Sequence, residues 1–302
     1  MTTGTNILAS QYVTIQDKAQ SLLGTGSGTR GYGQTVISAD VFTGNTITKA
    51  QWDALRYDII NIKFHQDGNI PPVVTVNVGD PIGFGSSSPN TNYDIILEDA
   101  IVKRFLIAGS QSIVSSKASQ TYSTPWSTQA QTTLTVTFAD SNQGRYFFNS
   151  GGKIRFLASL VGAVSTPQVT AWVNFLNAVG TQSFGADTDP SVNYYTLTNS
   201  YQTYYQNFLS SSYSANSYKL EARTNVANNS TGTATQLEIR ATLLDSYIDP
   251  DTLTGNVEPP GDVVNGTLTI SVSELKASGQ LQPSGTFSIT SPSYSLSGIT
   301  AS

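Results

Sequence analysis

Few side chains in this sequence of 302 residues could support catalysis. It contains one histidine, His65, and no cysteine, which excludes thiolate chemistry and disulfides. A Ser-His-Asp arrangement would need His65 as its base, and no Gly-x-Ser-x-Gly elbow accompanies it. As a metal ligand His65 has no histidine or cysteine companion. We therefore expect His65 to be a helix-end or surface residue, and we expect no catalytic residue, no bound metal and no cofactor.

Carboxylates offer two weaker possibilities. Asp187 and Asp189, or Asp249 and Asp251 together with Asn256 and Glu258, could bind calcium through oxygen ligands. Neither set has the spacing and glycine of an EF-hand loop, and Asp-Pro pairs ordinarily start turns. A glycosidase would need two carboxylates flanking a sugar, a pairing that sequence does not reveal. We favour turns over calcium and predict a protein without enzymatic activity.

A glycine-rich stretch at residues 24–33 contains Gly26-x-Gly28-x-x-Gly31, which formally matches a dinucleotide-binding fingerprint. That fingerprint requires a strand before it and a helix opening at it. A helix is predicted before this stretch and none directly after it. The pattern therefore favours a tight loop with exposed backbone, which another chain could approach closely.

Composition limits the partners. The net charge is −5, from 15 basic and 20 acidic residues, and charged residues make up 12% against about 25% in typical proteins. This balance argues against nucleic-acid binding and against a polybasic membrane anchor. No signal peptide and no apolar run of the ~20 residues that span a bilayer are present. We expect a soluble protein made in a cytoplasm, whose uncharged polar surface suits either permanent contacts or a secreted β protein.

Residues 1–125 are predicted to form a helical and mixed region. A first helix is expected at residues 11–23, capped by Ser10 and ended by Gly24. Thr48 and Gln51 match a capping box that opens a second helix ending near residues 65–68. A third helical pattern covers residues 94–106. Between these helices we expect an extended segment at residues 71–78 and a loop at residues 83–92.

Residues 126–250 are predicted to form an antiparallel β-sandwich with one inserted helix. Strands are expected at residues 132–138, 218–223 and 236–243, with turns at 140–144 and 228–232. Residues 145–156 are predicted to be a hairpin, with Tyr146, Phe147 and Phe148 before a turn at 149–152. Thr166 and Pro167 open the inserted helix, which Gly180 ends. The fold class is therefore α+β, mainly β.

Residues 251–302 are predicted to be a linker followed by short polar strands at 266–272, 286–290 and 294–296. Such strands cannot fold alone. They either complete the sandwich or add to the sheet of a neighbouring subunit. For the polar tail at residues 297–302 we favour a contact in an assembly, with docking on its own chain as the alternative.

Aromatic residues are the candidate interface positions, because tyrosine and phenylalanine are enriched where proteins meet. The predicted interface residues are Tyr146, Phe147, Phe148, Tyr201, Tyr204, Tyr205 and Tyr213. For the tyrosines, packing inside the chain is the interpretation that we favour, ahead of subunit contact, and stacking on sugars is a further alternative. Tyrosines exposed around a groove would favour a sugar, whereas tyrosines buried between chains would favour assembly.

Several stretches along the chain together resemble a family of virion structural proteins from tailed bacteriophages, especially T4-like cyanophages. They lie at residues 7–16, 31–34, 47–59, 65–68, 146–156 and 264–269. The resemblance implies a non-enzymatic virion protein, assembled in the host cytoplasm from copies of itself and other virion proteins. We expect a tail component, at the baseplate or a fibre attachment, joined by β-edge pairing and tyrosine-rich faces. A neck, collar or head-decoration protein, or a module that binds host surface glycan, is the alternative.

Overall fold

Two antiparallel sheets and five helices make up the part of the chain that the computed structural model describes, residues 8–42, 44–73, 75, 92–162, 166–247 and 263–302. The helices are α1 (Ala9–Leu23), α2 (Lys49–Asp67), α3 (Tyr93–Val102), α4 (Ser141–Asn149) and α5 (Pro167–Val179). The strands are β1 (Ser112–Tyr122), β2 (Gln129–Thr137), β3 (Lys153–Val161), β4 (Gln182–Phe184), β5 (Gln202–Phe208), β6 (Ser217–Thr224), β7 (Gln236–Leu244), β8 (Thr267–Ala277), β9 (Ser293–Leu296) and β10 (Thr300–Ala301). This confirms a mainly β, α+β fold with helices at its N-terminal end.

The sheets have four and six strands. The first has the order β1-β8-β3-β4, and the second has the order β10-β2-β7-β6-β5, with β9 also paired to β2. The apolar faces of both sheets and the buried sides of the helices belong to one core cluster. The four-stranded sheet draws strands from all three predicted segments, since β1 precedes residue 125 and β8 follows residue 251. The sequence patterns had not indicated β1.

Local signals set the ends of the N-terminal helices. Thr48 accepts a hydrogen bond from the Gln51 backbone N–H, and Gly68 ends α2 with a φ of 73°, as the capping pattern predicted. Helix α1 begins before Ser10, so the predicted Ser10 cap is wrong: the Gln11 side chain instead accepts from the Leu8 N–H at 2.8 Å. Helix α3 is shorter than predicted. Most of the predicted segments at residues 71–78 and 83–92 lie outside the described residues.

The predicted aromatic hairpin at residues 145–156 is wrong. Residues up to Asn149 belong to helix α4, and strand β3 begins at Lys153 after a turn at Gly151, whose φ is 82°. The predicted turn at residues 140–144 is the start of this helix. There Asp140 accepts a hydrogen bond at 2.9 Å from the Gln143 N–H. The body of the fold therefore contains two inserted helices, α4 and α5, instead of one.

The remaining β body follows the alternating patterns. In β2 and just beyond it, Leu134, Val136 and Phe138 face the core and are at most 3% exposed. Helix α5 starts at the predicted Thr166 cap and packs against β3. Between β6 and β7, the predicted turn at residues 228–232 contains positive φ values at Asn229 and Ser230.

The C-terminal residues complete the sheets of their own chain. Strand β8 lies between β1 and β3. Residues 286–290 form no strand beyond an isolated bridge, so that prediction is wrong, whereas β9 lies where a strand was predicted. The Ser302 carbonyl accepts backbone N–H groups of Ser127 and Thr128 at 3.1 and 2.7 Å. The favoured expectation that a neighbouring chain holds this tail is therefore wrong.

The segment between β8 and β9, residues 278–292, forms a strap across the N-terminal helices. Asn61 accepts from the Gln282 N–H at 2.6 Å and donates to its carbonyl at 3.1 Å. Gln34 makes the same pair of bonds with Ser288, both at 3.0 Å. The buried side-chain amides thus make the backbone hydrogen bonds that a neighbouring strand would otherwise make with this segment. They tie the C-terminal part of the chain to the helical layer.

Candidate interaction surfaces

His65 is a core residue, contrary to the expected surface or helix-end role. It is 2% exposed, stacks on Phe287 at 4.3 Å between ring centroids, and contacts Tyr32 at 5.0 Å. Its Nε2 lies 3.1 Å from the Ser150 carbonyl, which suits a neutral ring that donates there. Burial lowers the pKa of His65 to about 3, although the hydrogen bond to Ser150 acts in the opposite direction. The ring is therefore neutral at ordinary pH and stabilises the contact with the strap.

The glycine-rich loop at residues 24–33 is held by side chains of helix α4. Arg145 is 8% exposed and donates to the carbonyls of Thr25, Gly28 and Arg30 at 2.9 to 3.2 Å. Asn149 donates to the carbonyls of Gly28 and Gly31, both at 3.2 Å. Several carbonyls of the loop therefore point toward these donors. The loop follows helix α1, whereas a dinucleotide-binding fingerprint follows a strand. Its role in this geometry is to join the helical layer to the β body.

The aromatic residues of α4 do not form an exposed interaction surface. Phe147 and Phe148, predicted as interface residues, are instead 0% exposed and lie in the chain's own core. Tyr146 is half-buried against the glycine-rich loop. A Cβ at Gly33, where φ is 69°, would lie 2.4 Å from the Tyr146 ring, so the close contact requires glycine there.

The predicted interface tyrosines separate into three environments. Tyr201 lies on the outer face of the six-stranded sheet, with the guanidinium carbons of Arg223 and Arg240 at 4.5 and 4.1 Å from its ring centroid. Tyr204 and Tyr205 are half-buried and contact aromatic rings of their own chain. Tyr213 alone lines a groove with other aromatic side chains. The structure therefore does not bring the seven predicted residues together.

That groove lies between the outer side of α5 and the end of β5, and we call it the α5–β5 groove. It has a volume of about 600 Å³ and is lined by Pro167, Thr170, Ala171, Asn174, Phe175, Ala178, Phe208, Ser210 and Tyr213. None of these side chains is charged. Phe208 is 53% exposed. The sequence patterns had indicated neither Phe175 nor Phe208. The available signal was that Phe175 is an aromatic residue of α5 that the predicted apolar stripe did not include.

The long sheet edges carry features that protect edges from pairing. Strand β1 pairs only with β8 in the described part of the chain, and its register shifts between Ser116 and Ala118. Between them, Lys117 reaches the fully buried Glu274 carboxylate at 3.3 Å. Strand β5 has a similar irregularity after Thr203. Bulges and inward-pointing lysines are devices by which proteins block edge-to-edge association. The predicted edge pairing thus has less structural support than a contact through a face.

Carboxylates in the described residues do not converge on a cation site. Among those residues, no three histidine, aspartate or glutamate side chains lie close enough together to hold a metal ion. Asp187 is paired with Lys153 at 2.9 Å, and Asp189 accepts from the Ser191 N–H at 2.7 Å as turn residues do. The second candidate calcium set, at residues 249–258, lies outside the described residues.

Comparison with protein-family models, with curated proteins and with solved structures finds no match to this chain. None of the helices in the described part combines the length and apolar character needed to cross a bilayer.

Proposed function

We propose that this chain is a non-enzymatic structural protein of a tailed-bacteriophage virion, a tail component at the baseplate or a fibre attachment that assembles as a homo-oligomer. The sequence resemblance supports the virion assignment. The α5–β5 groove is the observation that supports assembly. Its aromatic, uncharged lining has the composition of the centre of a protein interface, where charges are depleted and aromatic residues are enriched.

The groove is a better candidate for the subunit contact than the sheet edges. Phe208 exposes half of its side chain beside Phe175 and Tyr213, so a partner that covers it would remove apolar surface from water. Aromatic anchors of this kind carry much of the binding energy in interfaces. In contrast, β1 and β5 present irregular edges. The proposed assembly therefore uses a face formed by α5 and the end of β5.

Light scattering on the purified full chain tests this assembly. We expect a homo-oligomer for the natural sequence and a smaller species for Phe208→Glu, because a carboxylate inside an apolar contact carries a large desolvation cost. Phe42→Glu is the matched control. Phe42 is 76% exposed and does not line the groove, so its replacement should leave the oligomer intact. A monomeric natural chain at the highest soluble concentration would overturn the homo-oligomer.

The place in the particle needs a separate experiment. Virions purified from the phage that encodes this chain should contain it at a fixed copy number, measured by quantitative mass spectrometry. Electron microscopy with an antibody against the chain should label the tail. Labelling of the neck or head would replace the tail assignment by the alternative position. Absence from purified particles would overturn the virion assignment.

A glycan-binding module is the second candidate, because the same groove presents sugar-compatible side chains. Phe175, Phe208 and Tyr213 could stack on sugar rings, and Asn174 with Thr170 could bond to hydroxyl groups. This candidate predicts that Phe175→Ala abolishes binding on an array of bacterial surface glycans while the oligomeric state is unchanged. The assembly proposal predicts the opposite pair of results.

A further inference from the structure

Helix α3 has apolar residues on both of its sides. Its inner side packs in the core through Tyr93, Ile96, Leu97 and Ala100. Its outer side presents Ile95 and Val102, which lie two helical turns apart on one face, and Val102 is 78% exposed. Leu106, just beyond the end of the helix, is also exposed. An apolar stripe on the outside of a helix marks a surface that a partner covers.

A cavity of about 510 Å³ opens beside this stripe, between the end of α2, the residues that follow it, and α3. Its apolar walls are Ile70, Pro71, Pro72, Ile95 and Ile96, and it shares no lining residue with the α5–β5 groove. Pockets of about 300–1,000 Å³ hold small molecules, so this cavity has room for an apolar side chain from another molecule. We call the stripe and the cavity together the α3 face.

The charged residues that line the cavity form opposite pairs. Lys63 is buried and binds Asp67 at 2.6 Å and Asp99 at 2.7 Å. Lys103 lies 3.0 Å from the same Asp99, one turn further along the chain. The side chains of Asp99 and Lys103 are still 43% and 39% exposed, so a second contact can reach both. An acidic partner would be repelled by Asp99 and a basic partner by Lys103. A surface that carries both charges at the same spacing would pair with both.

We propose that two copies of this chain pair through the α3 face, with their α3 helices antiparallel about a two-fold axis beside Val102. That arrangement places Asp99 of each copy opposite Lys103 of the other, because the axis exchanges the two positions. Val102 then meets its own counterpart at the axis, and Leu106 reaches Ile95 of the other copy at the cavity. The same face thus supplies both the exposed apolar residues and the cavity that covers them. This inference rests on the proposed homo-oligomer and adds a contact on the helical layer to the contact through the α5–β5 groove.

The first test uses a disulfide, because the chain contains no cysteine of its own. Val102→Cys in the full chain should form a covalent dimer on mild oxidation, seen on a non-reducing gel. Only a residue beside a two-fold axis meets its own copy within the ~4.4–6.8 Å between Cα atoms that a disulfide spans. Phe42→Cys is the matched control. Phe42 is nearly as exposed, at 76%, but does not line the cavity, so this variant should remain a single chain on the same gel.

The second test identifies the occupant, and it uses Phe208→Glu as the background so that the α5–β5 groove does not contribute. Sedimentation velocity should give a dimer for Phe208→Glu alone. Adding either Val102→Asp or Val102→Lys should give a monomer, because like charges then meet across the axis. An equimolar mixture of these two variants should regain the dimer, since opposite charges then meet. Val102 is mostly exposed, so either charge should leave the fold intact, which circular dichroism checks.

Two results would each overturn the α3 contact. One is a Val102→Cys chain that crosslinks no more than Phe42→Cys, and the other is a mixture of the Val102→Asp and Val102→Lys chains that stays monomeric. The oligomer through the α5–β5 groove would stand in either case, and the α3 face would then belong to a different protein. A natural chain that is monomeric at the highest soluble concentration would overturn both contacts.

Discussion

Replacing Arg145 by methionine should destabilise the connection between the helical layer and the β body. Methionine keeps much of the apolar stem of arginine but removes its donors. Arg145 donates at 3.1 Å to the Thr25 carbonyl, at 2.9 Å to the Arg30 carbonyl and at 3.2 Å to the Gly28 carbonyl. The Gly28 carbonyl keeps donors from Asn149 and Tyr195. The carbonyls of Thr25 and Arg30 lose their side-chain donor.

Each buried carbonyl left without a partner costs about 1–3 kcal/mol. Thr25 and Arg30 are exposed residues, so water partly replaces the lost donor at each carbonyl. The two carbonyls together give an expected loss of about 2–4 kcal/mol in the free energy of unfolding. For a chain of 302 residues that corresponds to a decrease in Tm of about 3–6 °C. Lysine should restore little, because one ammonium group cannot reproduce the fork that spans three carbonyls.

Calorimetry measures the decrease in Tm, and hydrogen exchange measures whether amides of residues 24–33 lose protection first. Arg155→Met is the matched control, since Arg155 makes no ion pair in the described part of the chain, and its Tm should change by about 1 °C or less. A Tm for Arg145→Met that equals the Tm of this control would refute the role of Arg145 in holding the loop.

Two further predictions concern the strap. His65 has a folded-state pKa of about 3, below its unfolded value of 6.5, so the unfolded chain binds the proton first. The stability from neutral His65 is complete above pH 6.5 and decreases as the pH falls toward 3, by about 2 kcal/mol between pH 7 and 5. The natural chain should therefore lose more Tm than His65→Gln over that range, and parallel curves would contradict the burial argument. Asn61→Ala removes both bonds to Gln282 and should cost about 1–3 kcal/mol, with faster proteolysis within residues 278–292, whereas the exposed Asn45→Ala should change neither.

Much of the fold could be predicted where the signal is local. Helices α2 and α5 begin at Thr48 and Thr166 and end at Gly68 and Gly180, as their caps indicate. Alternation predicted the buried face of β2 because one face of that sheet meets the core. Residues 145–149 misled the prediction because aromatic residues favour strands, whereas Asp140 and Gln143 supplied a helix start that the aromatic pattern hid.

The sequence by itself determined the class of fold, the low charge and the scarcity of catalytic side chains, since these depend on composition and on contacts within a few residues. Only the tertiary structure decided which aromatic residues remain exposed. Phe148 and Phe208 have the same chemistry, but one packs in the core and the other borders a groove. Only the tertiary structure also decided how the glycine-rich loop and the strap are held. Their hydrogen-bond partners lie far away along the chain, with Arg145 binding Gly28 and Asn61 binding Gln282. Pairings over such distances depend on the packed arrangement of whole elements, which no local pattern encodes.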